Sequence, residues 1–142
     1  MQNRQQAAVI LGWSGVIPFV VLVCCAWFGA PDWLFNLLRG YALLILAFMC
    51  GSLWDGALAR PADPPLPMII SNVLVLAALP ALLLPLAWAL LLMAALFAIH
   101  GFAEWRWAHT LQAGWYRRLR FALSVSVVSL LVLASAIRLS SS

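Results

Sequence analysis

The chain has 142 residues, of which 66% are hydrophobic and only 8% are charged, and its formal net charge is +4. A typical soluble domain carries about 25% charged residues, so this composition excludes a soluble domain and indicates an integral membrane protein. All eight basic residues are arginines, and most of them lie at the ends of apolar runs. That placement sets membrane topology and argues against nucleic-acid binding.

The apolar runs predict an all-α bundle of about five transmembrane helices in a single domain, because each spanning helix needs about 20 mostly apolar residues. The first run is too long for a signal-peptide core, so we expect a retained helix, kinked at Pro18. Gly29-Ala30-Pro31-Asp32 predicts a turn, and the proline-rich segment Arg60–Pro67 predicts a short, stiff loop. The predicted spans are residues 8–28, 41–58, 68–82, 86–103 and 121–137.

The apolar stretch from Met68 to Ala103 is too long for one upright span and barely long enough for two. Pro80 and Pro85 lie in its middle, so we predict a tight break near Leu82 to Pro85. The sequence leaves open whether these residues form two full spans or a re-entrant hairpin.

The arginines predict the orientation. With five spans and a cytoplasmic N-terminus, six arginines face the cytoplasm, and only Arg39 and Arg138 face the other side. This positive-inside bias favours five spans over four and predicts a multi-pass protein of the inner membrane.

Asp55 and the pair His100 and Glu104 are the first candidates for a binding site. Asp55 lies near the cytoplasmic end of the second span, where an ionisable group marks either a functional site or an ion pair with the arginines of residues 117–120. His100 and Glu104 are spaced i, i+4 on one helix face, so they form either a hydrogen-bonded pair or part of a proton relay. Two such ligands do not make a metal site, and we predict none.

Three arginines before the last span are the remaining candidates. Arg117, Arg118 and Arg120 predict either contact with anionic lipid headgroups or recognition of a partner or phosphate-bearing ligand. No nucleotide-binding, hydrolase or metalloprotease motif is present, so the sequence leans away from an enzyme.

Several motifs together carry a family resemblance. They are Leu11-Gly12-x-x-Gly15-x-Ile17-Pro18-Phe19, Tyr41, Gly51-x-x-Trp54-x-Gly56, Leu79-Pro80-x-Leu82, Trp88 and Trp115-Tyr116-Arg117-Arg118-Leu119-Arg120. With these, most of the chain resembles a bacterial family of unknown function, numbered 3429, which has mitochondrial inner-membrane relatives. The chain departs from the family pattern at Asp55, where the family has glycine. The resemblance implies about five membrane helices and no particular activity.

Three functions fit these observations. The first is a non-catalytic accessory or assembly subunit of a larger membrane complex, with a respiratory complex as one candidate. The second is a lipid- or quinone-binding protein, in which the bundle holds the tail and the arginine layer holds the head. The third is a small transporter that uses Asp55 and His100, which the lack of inverted repeats disfavours.

Overall fold

A computed structural model describes residues 2–107 and 114–141, and within these residues it is entirely helical apart from turns. The predicted fold class, an all-α bundle of about five helices, is confirmed. The helices are α1 (Gln2–Trp27), α2 (Asp32–Leu58), α3 (Leu66–Ala78), which continues as a 3₁₀ helix (Leu79–Leu82), α4 (Leu86–Trp107) and α5 (Gly114–Ser140).

Four of the helices, α1, α2, α4 and α5, are long and apolar enough to cross a membrane. The segment Leu66–Leu82 is apolar but shorter. At a rise of about 1.5 Å per residue it spans about 25 Å, less than the ~30 Å hydrocarbon core of a bilayer. The helices therefore have the length and composition expected of a multi-pass membrane protein in which one helical segment, Leu66–Leu82, is short.

Four helices are longer than the sequence predicted, and α1 begins at Gln2 instead of residue 8. α2 begins at Asp32 instead of residue 41, α4 continues to Trp107 and α5 begins at Gly114, so much of the predicted loop of residues 104–120 is helical. A helix satisfies its own backbone hydrogen bonds wherever it lies, so it continues through the interface, where tryptophan, tyrosine and arginine are common. His109 lies outside the described residues.

The predicted turns are present. Gly29 has a φ of 88°, a left-handed conformation that favours glycine, and it separates α1 from α2. The break between α3 and α4 lies at residues 83–85, where Pro85 directly precedes α4. Proline is tolerated at this position because the first residues of a helix have no intrahelical acceptor for their N–H groups.

The helices α1, α2, α4 and α5 form a ring in which each contacts the next, and α3 packs outside the ring against α2 and α4. Phe19 of α1 lies in the centre, fully buried against Tyr41 of α2 and Phe97 of α4, with ring centroids 4.9 and 6.4 Å away. The Tyr41 hydroxyl donates a 2.7 Å hydrogen bond to the Gly15 carbonyl of α1. This aromatic group therefore joins three of the four ring helices.

Polar contacts at one end of the bundle join α2 to the 3₁₀ helix and to α5. Arg39 of α2 donates hydrogen bonds to the carbonyl oxygens of Ala81, at 3.2 Å, in the 3₁₀ helix and of Leu84, at 3.4 Å, within the break before α4. Arg138 near the end of α5 pairs with Asp32 at the start of α2, at 2.8 Å. The segment from Leu66 to Leu82 therefore runs from one end of the bundle to the other.

At Gly101, α4 lies in close contact with α5. A Cβ atom added there would lie 3.2 Å from Cβ and 3.4 Å from Oγ of Ser124. Small residues allow such close approach of helices in lipid, where packing drives association.

We predict that Gly101→Val lowers the free energy of unfolding by about 1–3 kcal/mol, because the larger side chain forces α4 away from Ser124. Gly51→Val is the matched control, since a Cβ atom at Gly51 has no neighbour within 4 Å. Reversible unfolding of both variants in mixed detergent micelles measures the difference. Equal losses would show that valine's helix propensity, rather than the close contact, is responsible.

The five-crossing path predicts that residues 63 and 141 lie on opposite sides of the membrane. Single cysteines at Asp63 and Ser141, in a chain whose native cysteines are replaced by alanine, test this with an impermeant thiol reagent on oriented vesicles. We expect the Asp63 position to react only from the cytoplasmic side and the Ser141 position only from the other side. Reaction of both from one side would mean that Leu66–Leu82 does not cross.

Candidate functional site

A buried ion pair lies at the end of the bundle opposite Arg39. Nε and Nη2 of Arg120, on α5, each lie 2.8 Å from Oε1 of Glu104, on α4. Both residues are more than nine-tenths buried. A charge buried without a partner costs several kcal/mol, by order of magnitude, so this pair requires α4 and α5 to stay together at this level.

Two side chains of α2 complete the surroundings of Arg120. Its Nη2 atom donates to Oγ of Ser52 at 2.8 Å, and its Nη1 atom lies 3.0 Å from the sulfur of Met49. The Ser52 hydroxyl in turn donates to the Met49 carbonyl oxygen at 2.7 Å. The guanidinium thus connects α5 to both α4 and α2.

His100 belongs to the same cluster but does not form the predicted hydrogen bond with Glu104. Its Nε2 atom lies 2.9 Å from the Met49 carbonyl oxygen. A carbonyl only accepts, so Nε2 carries the hydrogen and donates it. Nδ1 is buried and has no hydrogen-bond partner. The packing of α4 against α2 therefore determines the partner of His100, rather than the i, i+4 spacing along α4.

The three arginines predicted as one group have three different surroundings. Arg120 points into the bundle. The guanidinium of Arg117 lies over the ring of Trp105, with its central carbon 3.5 Å from the ring centroid. Arg118 is exposed. Only Arg117 and Arg118 are placed to meet something outside the chain.

Of the two roles considered for Asp55, the ion pair with these arginines does not occur among the described residues. Glu104 takes the buried guanidinium of Arg120, whereas Asp55 is exposed and forms no ion pair within residues 2–107 and 114–141. Asp55 lies on the outer face of α2 in line with Ala47 and Gly51, which are also exposed. This face of α2 therefore points away from the bundle.

The cluster has little open space beside the ion pair. A cavity beside the ion pair, lined by Glu104, Arg117 and Arg120 among others, has a volume of ≈10 Å³, about enough for one water molecule. No group of three His, Cys, Asp or Glu side chains that could hold a metal occurs in the part of the chain that the structure describes. The opposite charges of Glu104 and Arg120 pair with each other, so the ion pair joins α4 and α5.

Sequence reasoning missed the residues that complete the cluster around Arg120 and those that form the polar contacts at the opposite end of the bundle. They are Ser52, Met49, Arg39 and Asp32. Ser52 and Met49 carry no sequence signal for a site, because serine and methionine are ordinary residues of membrane helices. The sequence predicted Arg39 only as a charge on the side of the membrane opposite the cytoplasm. Its half-buried position beside a proline-containing turn gives it carbonyl partners.

Comparison with known proteins identifies one family. A model of the family described as "Protein of unknown function (DUF3429)" matches residues 4–136, which confirms the resemblance drawn from the sequence. No curated protein and no solved structure matches the chain. The matched range includes the whole buried cluster and both faces of α2.

We predict that Glu104→Gln lowers the free energy of unfolding by about 3–5 kcal/mol, because it leaves Arg120 charged and buried without a counter-ion. The double variant with Arg120→Leu should recover much of this loss. Unfolding in mixed detergent micelles measures both.

Asp32→Asn serves as the control for this prediction, because it breaks an ion pair whose carboxylate is mostly exposed. We expect it to cost about 0–1 kcal/mol. A loss for Glu104→Gln no larger than that would show that the buried pair does not hold the helices together.

Proposed function

We propose that this chain, which belongs to the family of proteins of unknown function DUF3429, is a non-catalytic accessory or assembly subunit of a larger membrane complex. The observation that carries the proposal is the outer face of α2. There Asp55 is exposed and without an ion-pair partner in the described chain, in line with the small residues Ala47 and Gly51.

An exposed carboxylate on a membrane helix is costly unless something pairs with it. Asp55 lies one turn from the end of α2, where the cost is smaller than at the bilayer centre but a partner still stabilises it. The nearby Arg60 does not supply that partner, since it is 3.5 Å from Asp63. A cationic or hydrogen-bonding side chain of another membrane protein fits this position.

The small residues beside Asp55 allow such a partner to come close. Ala47 and Gly51 are spaced i, i+4, and together with Asp55 they extend over two turns of α2. Small residues at this spacing let two helix backbones approach, which is a common way for membrane helices to associate. A Cβ atom at Gly51 contacts nothing in this chain, so the space above it is open.

The polar groups inside the bundle support a non-catalytic role. Glu104, Arg120 and His100 contact neighbouring helices, and the cavity that Glu104 and Arg120 line has a volume of only ≈10 Å³. A transporter would use Asp55 and His100 together. Asp55 faces the outside of the bundle, however, whereas His100 faces the inside. In this proposal the complex lies in the inner membrane, with the N-terminus of the chain in the cytoplasm.

Co-purification tests the proposal. The tagged chain is isolated from its native membranes in mild detergent, and bound proteins are quantified by mass spectrometry. We expect one set of membrane proteins in fixed stoichiometry, reduced at least tenfold by Gly51→Leu and several-fold by Asp55→Asn, because both changes act on the docking face.

Ala95→Leu is the matched control, since it enlarges an exposed small residue on α4 instead of α2. It should leave the complex intact. Unfolding measurements on the purified variants confirm that they fold, as expected from the open space around Gly51. A chain that purifies alone, or a complex lost equally with Ala95→Leu, would contradict the proposal.

A further inference from the structure

An open groove runs between α4 and α5 on the outer surface of the bundle. It has a volume of ≈340 Å³ and is lined almost entirely by apolar and small side chains. Its residues are Ala98, Gly101, Phe102, Trp105, Phe121, Ser124, Val125, Val128 and Ser129. A groove of this composition on a membrane-facing surface suits a hydrocarbon chain.

The groove ends at the arginine-rich end of the bundle. Trp105 and Phe121 form its last wall, with ring centroids 5.5 Å apart. On the other side of this wall lies Arg117, whose guanidinium stacks on Trp105 and whose Nε atom is buried without a hydrogen-bond partner. Arg118 is adjacent and exposed. A hydrocarbon chain in the groove therefore leads directly to two arginines.

The charges at this end favour an anion. Six of the eight arginines belong to this end, against three carboxylates, Asp55, Asp63 and Glu104. Asp63 is paired with Arg60, and Glu104 with Arg120. The face that carries Arg117 and Arg118 is therefore complementary to a phosphate.

We propose that the groove between α4 and α5 is a binding site for an anionic phospholipid. One acyl chain lies along Phe102, Phe121 and Val128, and the phosphate meets Arg117 and Arg118. Arginine matches a phosphate with its planar set of donors, and tryptophan is typical of the headgroup level. Trp105 holds the guanidinium of Arg117 at the end of the groove and so orients it towards the headgroup.

Native mass spectrometry of the purified full chain tests the site. Phosphatidylglycerol and phosphatidylcholine with identical acyl chains are titrated separately in mild detergent. We expect tighter binding of phosphatidylglycerol, and a loss of about fivefold for Arg117→Gln and for Arg118→Gln, since one arginine near the surface contributes about 1 kcal/mol. Arg118 is exposed, so its replacement tests the site without disturbing the fold.

Arg60→Gln is the matched control, because it removes the same charge from the same end of the bundle but away from the groove. It should leave phosphatidylglycerol binding unchanged. An equal loss with Arg60→Gln, or equal binding of the two lipids by the native chain, would overturn the proposal.

The acyl chain has its own test. Val128→Trp fills the groove and should weaken binding of both lipids at least fivefold, whereas Val73→Trp, on the exposed face of α3, should not. Glycerol phosphate, which lacks acyl chains, should fail to compete. Unchanged binding with Val128→Trp, or full competition by glycerol phosphate, would overturn the groove as the site.

Discussion

The buried guanidinium of Arg120 is the constraint on which the rest of this bundle depends. Each of its three nitrogen atoms has a neighbour, and these neighbours come from two other helices: Glu104 on α4, and Ser52 and Met49 on α2. Arg120 and Glu104 are both more than nine-tenths buried, so a lost partner would leave a buried charge unpaired. The rotation and depth of α5 relative to α2 and α4 are therefore set by hydrogen-bond geometry, which permits much less variation than apolar contact.

The two ends of the bundle are held by different means. Around Arg120 the contacts are buried and link side chains of three helices. Around Arg39 an arginine instead caps backbone carbonyls at the break before α4, and Arg138 pairs with Asp32 near the surface. Between these ends the contacts are apolar, apart from the Tyr41 hydroxyl and a few serines. None of these polar contacts involves the outer faces of α2 and α5.

Much of the fold could be predicted from the sequence, because composition and proline positions determine where membrane helices form and where they stop. The break before Leu86 is an example. The starts of α2 and α5 were missed because interfacial tryptophan, tyrosine and arginine are compatible with both helix and loop. Glu104 and Arg120 were recognised as candidates, but Asp55 was given the wrong partner. Ser52 and Asp55 are only three residues apart on α2. Which of the two faces inward depends on how α2 packs against its neighbours, and the sequence of α2 alone does not determine that.

The short segment Leu66–Leu82 affects the bilayer as well as the protein. A segment of about 25 Å beside helices long enough for a full bilayer creates a hydrophobic mismatch on one side of the molecule only. Each ångström of mismatch costs a fraction of a kcal/mol, which the bilayer meets by becoming thinner next to α3. With Leu66–Leu82 crossing, as the five-crossing path predicts, the protein has its lowest energy in thinner membranes or beside neighbours that share the thinned lipid.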